Sequence, residues 1–557
     1  MRLVGAFLLH AVLASFIFAQ ANPSDSSQPS ATIRSNPRLV LLNVVVTNSK
    51  GEPVHGLNQH DFSVFEDGKA QSIRSFEEHS HAAATDKQKP VPPPLNLGPN
   101  VHTNWVPFPK DNVTNILLLD VLNMSGQDLL HAKDELLKTV QNLPAGQQFA
   151  LFIMGTQLHM VQGLTSDKSS MLAATGQISG KTDPVYVDAR TFSTQIGELR
   201  ETMLLKNPVA FRALVTTLAT EQDIKLQSRA LYTYDGLSQL ARALVAIPGR
   251  KNLIWITSGF PFDPTRGDAE DFTRLSAQLA ASQIAVYPLD ARGVILGQPD
   301  AATRDSELFG TGASVGFLDD LSEEMRGTYE TMFNIAAQTG GRAFLNQNEF
   351  LPAISRIVEG GANYYVISYR PSNSRWDGKF RKIQVKSSQR DIKLLYRTGY
   401  YAVEDPLLLP HKEDRDRALL VAMQPTQPPS TSLIIKTRVV PPAKGSNSVT
   451  LDFLVDVADL LLVETPSARA KKDMEVIFVA NAIDPQGRLA DTHSWTVKLS
   501  VTEADIQAMR RTGLHLHQDV PFKPGSYQLR LGVLDRNSGK VGTLDVPVTI
   551  AEAAPAK

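Results

Sequence analysis

The stretch Asn115–Ser125, NILLLDVLNMS, constrains the fold more than any other in the chain. Asn115 to Leu119 run without polar alternation, the mark of a strand covered on both faces, and such strands belong to parallel sheets flanked by helices. The run stops at Asp120. The next periodic segment, Asp128 to Leu143, puts Leu129, Leu130, Leu136, Leu137 and Val140 at three- and four-residue steps and reads as an amphipathic helix. A buried strand, a turn bearing a carboxylate, then a helix is the opening unit of a doubly wound sheet, whose ligands sit beyond the carboxyl ends of the strands. Asp120 stands at that position, at the rim of the sheet and open to partners.

The pattern returns downstream. Asn252 to Thr257, NLIWIT, is a second buried strand, preceded by a helix over Tyr234 to Ile247 and followed by the loop that begins at Ser258 and Gly259. Gln283 to Leu289 is a third, ending on Asp290, and Arg342 to Leu345 a fourth, entered from a helix stopped by Gly340 and Gly341. Strands alternating with helices imply parallel pairing. Between the first two lies Phe149 to Gln162, where Gly155 and Thr156 mark a tight hairpin and an antiparallel edge.

A strand ending in Asp, an edge hairpin, a helix leading into KNLIWITSGFP, then AVYPLDARG and TGGRAF together resemble a von Willebrand factor A domain. The likeness is nearest to the VWFA-related proteins of the acidobacterial type. It extends to VVVTNSKGEPVHGLNQHDFSVFEDGKAQSIRSF before the domain and to NYYVISYRP, WDGKFRKIQVK and YRTGYYA after it, over roughly Leu39 to Val403.

The resemblance implies a divalent cation at the strand ends, held by Asp-x-Ser-x-Ser on the first loop, a Thr from a second and an Asp after a third strand. Oxygen ligands of this kind suit Mg2+ or Ca2+. The sequence departs from the motif. Asp120 is in place, but the two serine positions are Leu122 and Met124, with Asn123 and Ser125 out of phase by one. Thr233, ahead of the helix starting near Tyr234, matches the lone Thr, and the loop Asp is missing, leaving Asp263 four residues past Gly259. Two readings follow. One is a rearranged, degenerate cation site built from Asp120, Asn123 or Ser125, Thr233, and Asp263 or Asp290. The other has Asp120 and Asp290 as turn residues accepting backbone hydrogen bonds. Residues offered to a protein partner are Asp120, Ser258 and Asp290.

Other constellations carry less. His515 and His517 share a face if they lie on a strand, as do His79 and His81, yet two ligands do not make a metal site. Gly312 to Gly316 spell Gly-x-Ser-x-Gly without the buried strand that a nucleophile elbow requires. With 56 basic against 57 acidic residues, nothing points to nucleic acid. No paired carboxylates or triad can be assembled, so no enzyme is expected.

The chain opens on MRLVGAFLLHAVLASFIFAQA, an apolar run between one Arg and small residues, which reads as a secretory signal of residues 1–21 cleaved near Ala19 to Ala21. The protein is therefore expected to be exported, periplasmic or extracellular, with no transmembrane segment after cleavage. There is no cysteine, so stability comes from apolar cores alone.

At 557 residues several domains are needed. Residues 22–36 read as a disordered leader, 37–78 as a small β unit, and 79–112 as a Pro-rich linker. Residues 113–360 form the α/β domain, carrying a helical insert over Ser193 to Asp235 and a Gly-rich loop over Ala291 to Gly316. Residues 361–403 alternate as strands too few to bury a core, and are expected to complete the 37–78 unit. A second linker, 404–432, leads to an all-β segment, 433–550, patterned like an immunoglobulin-type sandwich. The expected fold class is thus a doubly wound, mostly parallel α/β sheet of von Willebrand A type between two β units. The expected function is binding or scaffolding toward a protein partner, with an accessory assembly or substrate-recruiting role as the alternative and a secreted hydrolase as the remote one.

Overall fold

A computed structural model of the chain describes residues 39–80, 97–105, 113–143, 146–179, 181, 183, 186, 196–198, 200–201, 203, 206–259, 269–293, 323–443, 446–465 and 471–550. The signal and leader, Asp263, His81, the segment Gly312 to Gly316 and most of the Pro-rich linker lie outside these residues.

Every residue of Thr114–Asp120 is buried, as are those of Lys251–Thr257 and Ile284–Asp290. The sheet runs Ile284–Asp290, Lys251–Thr257, Thr114–Asp120, Gln148–Met154, Leu158–Thr165. The first four strands are parallel and the last is antiparallel. Numbered by sequence, the order is 3-2-1-4-5, that of a doubly wound sheet. Alternate residues of one strand face opposite layers. Leu117 and Leu119 meet the helices Gly126–Gln141 and Phe350–Gly361. Ile116 and Leu118 meet Pro208–Leu244, Ala269–Ala281 and Glu323–Thr339. Two apolar layers explain why these strands show no alternation.

Three expectations change. The fourth strand shrinks to a single parallel bridge, Leu289 with Phe344, and the chain turns two residues later at Asn346, whose φ is 52°. The separate helix from Tyr234 does not exist. One helix runs unbroken over Pro208–Leu244, 37 residues, since no residue inside it stops it. Gly236 lies where this helix crosses the sheet, and a Cβ there would stand 3.0 Å from Met154 Sδ. The 404–432 segment is no free linker, for it contains the helix Lys412–Ala422 and packs Leu419 and Met423 against Leu534 and Val541.

The β unit before the α/β domain is built from both flanks. Val40–Asn48 pairs antiparallel with Tyr364–Tyr369 and Ile392–Leu395, and Tyr364–Tyr369 pairs on its other edge with Ile73–His79. A second sheet joins Phe62–Glu66 to Phe380–Ser387. Leu42, Val44, Val64, Ile367 and Val385 share one core. The α/β domain is therefore an insertion within this unit.

The last segment forms two antiparallel sheets around a common core that includes Phe453 and Phe478. It contains a strand not foreseen, Leu514–Pro521, and one edge is completed by Val101–Thr103 from the Pro-rich segment. Beside that strand, buried Asn104 donates to Ser430 O and Leu433 O, both at 2.8 Å, and accepts from Ile435 N at 2.9 Å. No described helix is long and apolar enough to cross a membrane.

Candidate functional site

The strand Thr114–Asp120 ends at the carboxyl edge of the sheet, and a single 3-10 turn, Val121–Asn123, follows it. That turn folds Asn123 back over Asp120. The Asn123 backbone N donates to Asp120 Oδ1 at 3.1 Å, and its Nδ2 lies 3.1 Å and 2.9 Å from the two carboxylate oxygens. From the neighbouring strand, Thr257 Oγ1 and Trp255 Nε1 donate to Oδ2 at 2.8 Å and 3.0 Å. Asp120 is 0% exposed. The expected open carboxylate at the rim is thus corrected to a sealed one, because the turn and the adjacent strand saturate it.

The amide continues the network. Asn123 Nδ2 lies 2.9 Å from Thr233 Oγ1, and Arg229 Nε donates to Asn123 Oδ1 at 3.1 Å. Thr233 is not a loop residue but sits within the long helix, donating to Arg229 O at 2.8 Å one turn back. The Arg229 guanidinium also lies over the Tyr186 ring, 5.0 Å from its centroid. Burial pushes the Asp120 carboxyl up to about 6, while the bonds from Asn123, Thr257 and Trp255 and the charge of Arg229 pull it back.

Asp290 closes its own strand and is saturated separately. Arg292 grips it through Nε to Oδ1 and Nη2 to Oδ2, both at 2.9 Å, and the Arg292 backbone N donates to Oδ1 at 3.0 Å. Tyr329 Oη donates to Oδ2 at 3.1 Å. Ser125 caps the helix Gly126–Gln141, accepting from Asp128 N at 3.1 Å, and is not among the groups around Asp120. Ser258 Oγ donates to Asp128 Oδ2 at 3.0 Å. Ser125, Asp128, Ser258 and Arg292 are half-buried and form a polar rim around the two closed carboxylates.

The fold therefore brings Asp120, Asn123 and Thr233 together and holds Ser125, Ser258 and Asp290 apart from them. Arg229, Trp255, Thr257, Arg292 and Tyr329 complete the region and were not foreseen. Two had signals: Arg229 lies one helical turn before Thr233, and Arg292 two residues past Asp290. A divalent cation needs oxygen lone pairs converging at about 2.0–2.6 Å. The group facing both Asp120 and Thr233 is instead an NH2, so the described residues do not fit the ion that the resemblance implies. Among the described residues no three His, Cys, Asp or Glu are placed to hold a metal. The histidine pair on Leu514–Pro521 is exposed, His515 bonding Thr512 O and His517 pairing with Asp452.

No family model matches the chain, and no curated protein does. Among solved structures it is similar to an aerotolerance-related membrane protein from Bacteroides fragilis, with a TM-score of 0.23 and 16% identity over 44% of this chain and 98% of that one. It is also similar to a von Willebrand factor type A protein from Catenulispora acidiphila, with a TM-score of 0.24 and 10% identity over 79% and 67% of the two chains. A third is the manganese-loaded TRAP protein of Plasmodium vivax, with a TM-score of 0.21 and 11% identity over 54% and 96%. At such TM-scores these likenesses carry no argument, and the fold class rests on the order and sense of the strands themselves.

Proposed function

We propose that this chain is an exported binding or scaffolding protein whose von Willebrand A-like domain engages a protein partner through the loops at the carboxyl ends of its parallel strands. The observation that carries the reading is how the two strand-end carboxylates are spent. Donors occupy both oxygens of Asp120 and both of Asp290. Neither is left to take a proton from a substrate, as a general base must. Around them stand Ser125, Asp128, Ser258 and Arg292, groups of mixed polarity at the edge of a rigid sheet, which suits recognition by a complementary protein surface. Export rests on the secretory signal read in residues 1–21, and the periplasm or the outside of the cell is where the partner is expected.

Site-specific photocrosslinking tests this. A photoreactive residue at Asp128 or at Ser258 is expected to capture the same envelope protein, while one at Asn142, beyond the far end of the same helix, captures none. Identical captures from all three positions, or none from the first two, sink the reading.

A further inference from the structure

We propose that the strand-end site of this domain works without a divalent cation, the side-chain amide of Asn123 holding the cation's place and Arg229 locking that amide in its donor orientation.

The geometry carries the argument. A cation bridging Asp120 and Thr233 would lie between the carboxylate and the hydroxyl. Asn123 Nδ2 occupies that position, within 3.1 Å of both Asp120 oxygens and 2.9 Å from Thr233 Oγ1. Rotating the amide by half a turn would bring Oδ1 to the site as a ligand. Arg229 opposes the rotation, because a guanidinium only donates, and its Nε is already bonded to Oδ1. The rotated amide would face Arg229 with NH2 and Asp120 with oxygen, two repulsive contacts for two attractive ones. Thr233 Oγ1 donates its hydrogen bond to Arg229 O and accepts from Asn123 Nδ2. The charge that a cation would supply is also present in protein form. Arg229 stands behind Asn123, and Arg292 neutralises Asp290 through paired bonds. Asn123 is 1% exposed, so no solvent path is needed to satisfy it.

The test uses the full chain and needs no partner, so its failure is distinguishable from failure of the binding proposal. Thermal unfolding is followed with millimolar Mg2+, Ca2+ or Mn2+ and with chelator, alongside Mn2+ spin resonance. The wild type is expected to show one melting temperature throughout and only the spectrum of free Mn2+. Asn123→Asp, which replaces the NH2 by a ligand oxygen beside Asp120, is expected to melt several degrees higher with Mn2+ than with chelator and to bind the ion. Asn123→Ser serves the same purpose if the Asp variant does not fold. A melting shift or a bound Mn2+ signal in the wild type overturns the proposal. Folded variants that ignore the metal overturn the role given to the Asn123 amide.

Discussion

Asp120 receives four donor groups, from Asn123 twice, Trp255 and Thr257, of which the Asn123 amide also reaches Thr233 Oγ1. Asp120→Ala is therefore expected to cost on the order of 3 kcal/mol in urea unfolding, through orphaned buried donors, rather than to lose a partner selectively. Lys251 offers a second measurement. Its side chain is 1% exposed and its Nζ donates to Ser282 O at 2.6 Å. Burial pushes the amine from 10.5 down to about 7. The unfolded lysine keeps its proton up to about pH 10, whereas the folded one loses it near 7, so folding releases a proton between them and stability from this group climbs as pH rises through that window. Lys251→Met is expected to melt above the wild type at about pH 6, by a margin that shrinks toward about pH 10. Of the site, the sequence made Asp120 legible because a buried strand ends on it. It hid the saturation, since Trp255 and Thr257 reach Asp120 across a strand register that no local pattern announces.

At the scale of elements, the parallel strands were readable to within a residue or two because burial on both faces leaves an unbroken apolar run. The long helix is legible as two pieces, the helical insert ending at Asp235 and the helix from Tyr234, but its continuity is not. Charges mix with half-buried apolar groups in its first half, so the amphipathic period is weak there and Thr233 reads as preceding a helix. The helix Lys412–Ala422 was masked by its proline-rich neighbours, although KEDRDRALLVA opens with acids and consists of good helix formers. Val101–Thr103, three residues long, is below what periodicity can detect. Its weight falls on Asn104, whose amide joins three backbone groups of the C-terminal unit. Asn104→Ala is expected to lower stability by about 2 kcal/mol, because the Ile435 N–H loses its buried acceptor and Leu433 O a donor, while Ser430 O keeps the bond from Thr543 N. Denaturant titration of the full chain checks this.

At the scale of the whole molecule, the β unit has no core without both of its distant segments. Tyr364–Tyr369 lies between Val40–Asn48 and Ile73–His79, so deleting residues 39–79 strips both edges of that strand. Limited proteolysis of the deletion variant is expected to cut within residues 363–401, where the intact chain resists; continued resistance would mean that those strands hold together alone. The α/β domain leaves and rejoins this unit at one place, with Val113 and Ala362 in a common cluster beside Val45 and Tyr364. Val40–Asn48 is bonded to Ile392–Leu395, while Thr431 Oγ1 donates to Ala243 O and Arg242 donates to Gly539 O, so a pull on the C-terminal module is shared between the β unit and the long helix of the inserted domain.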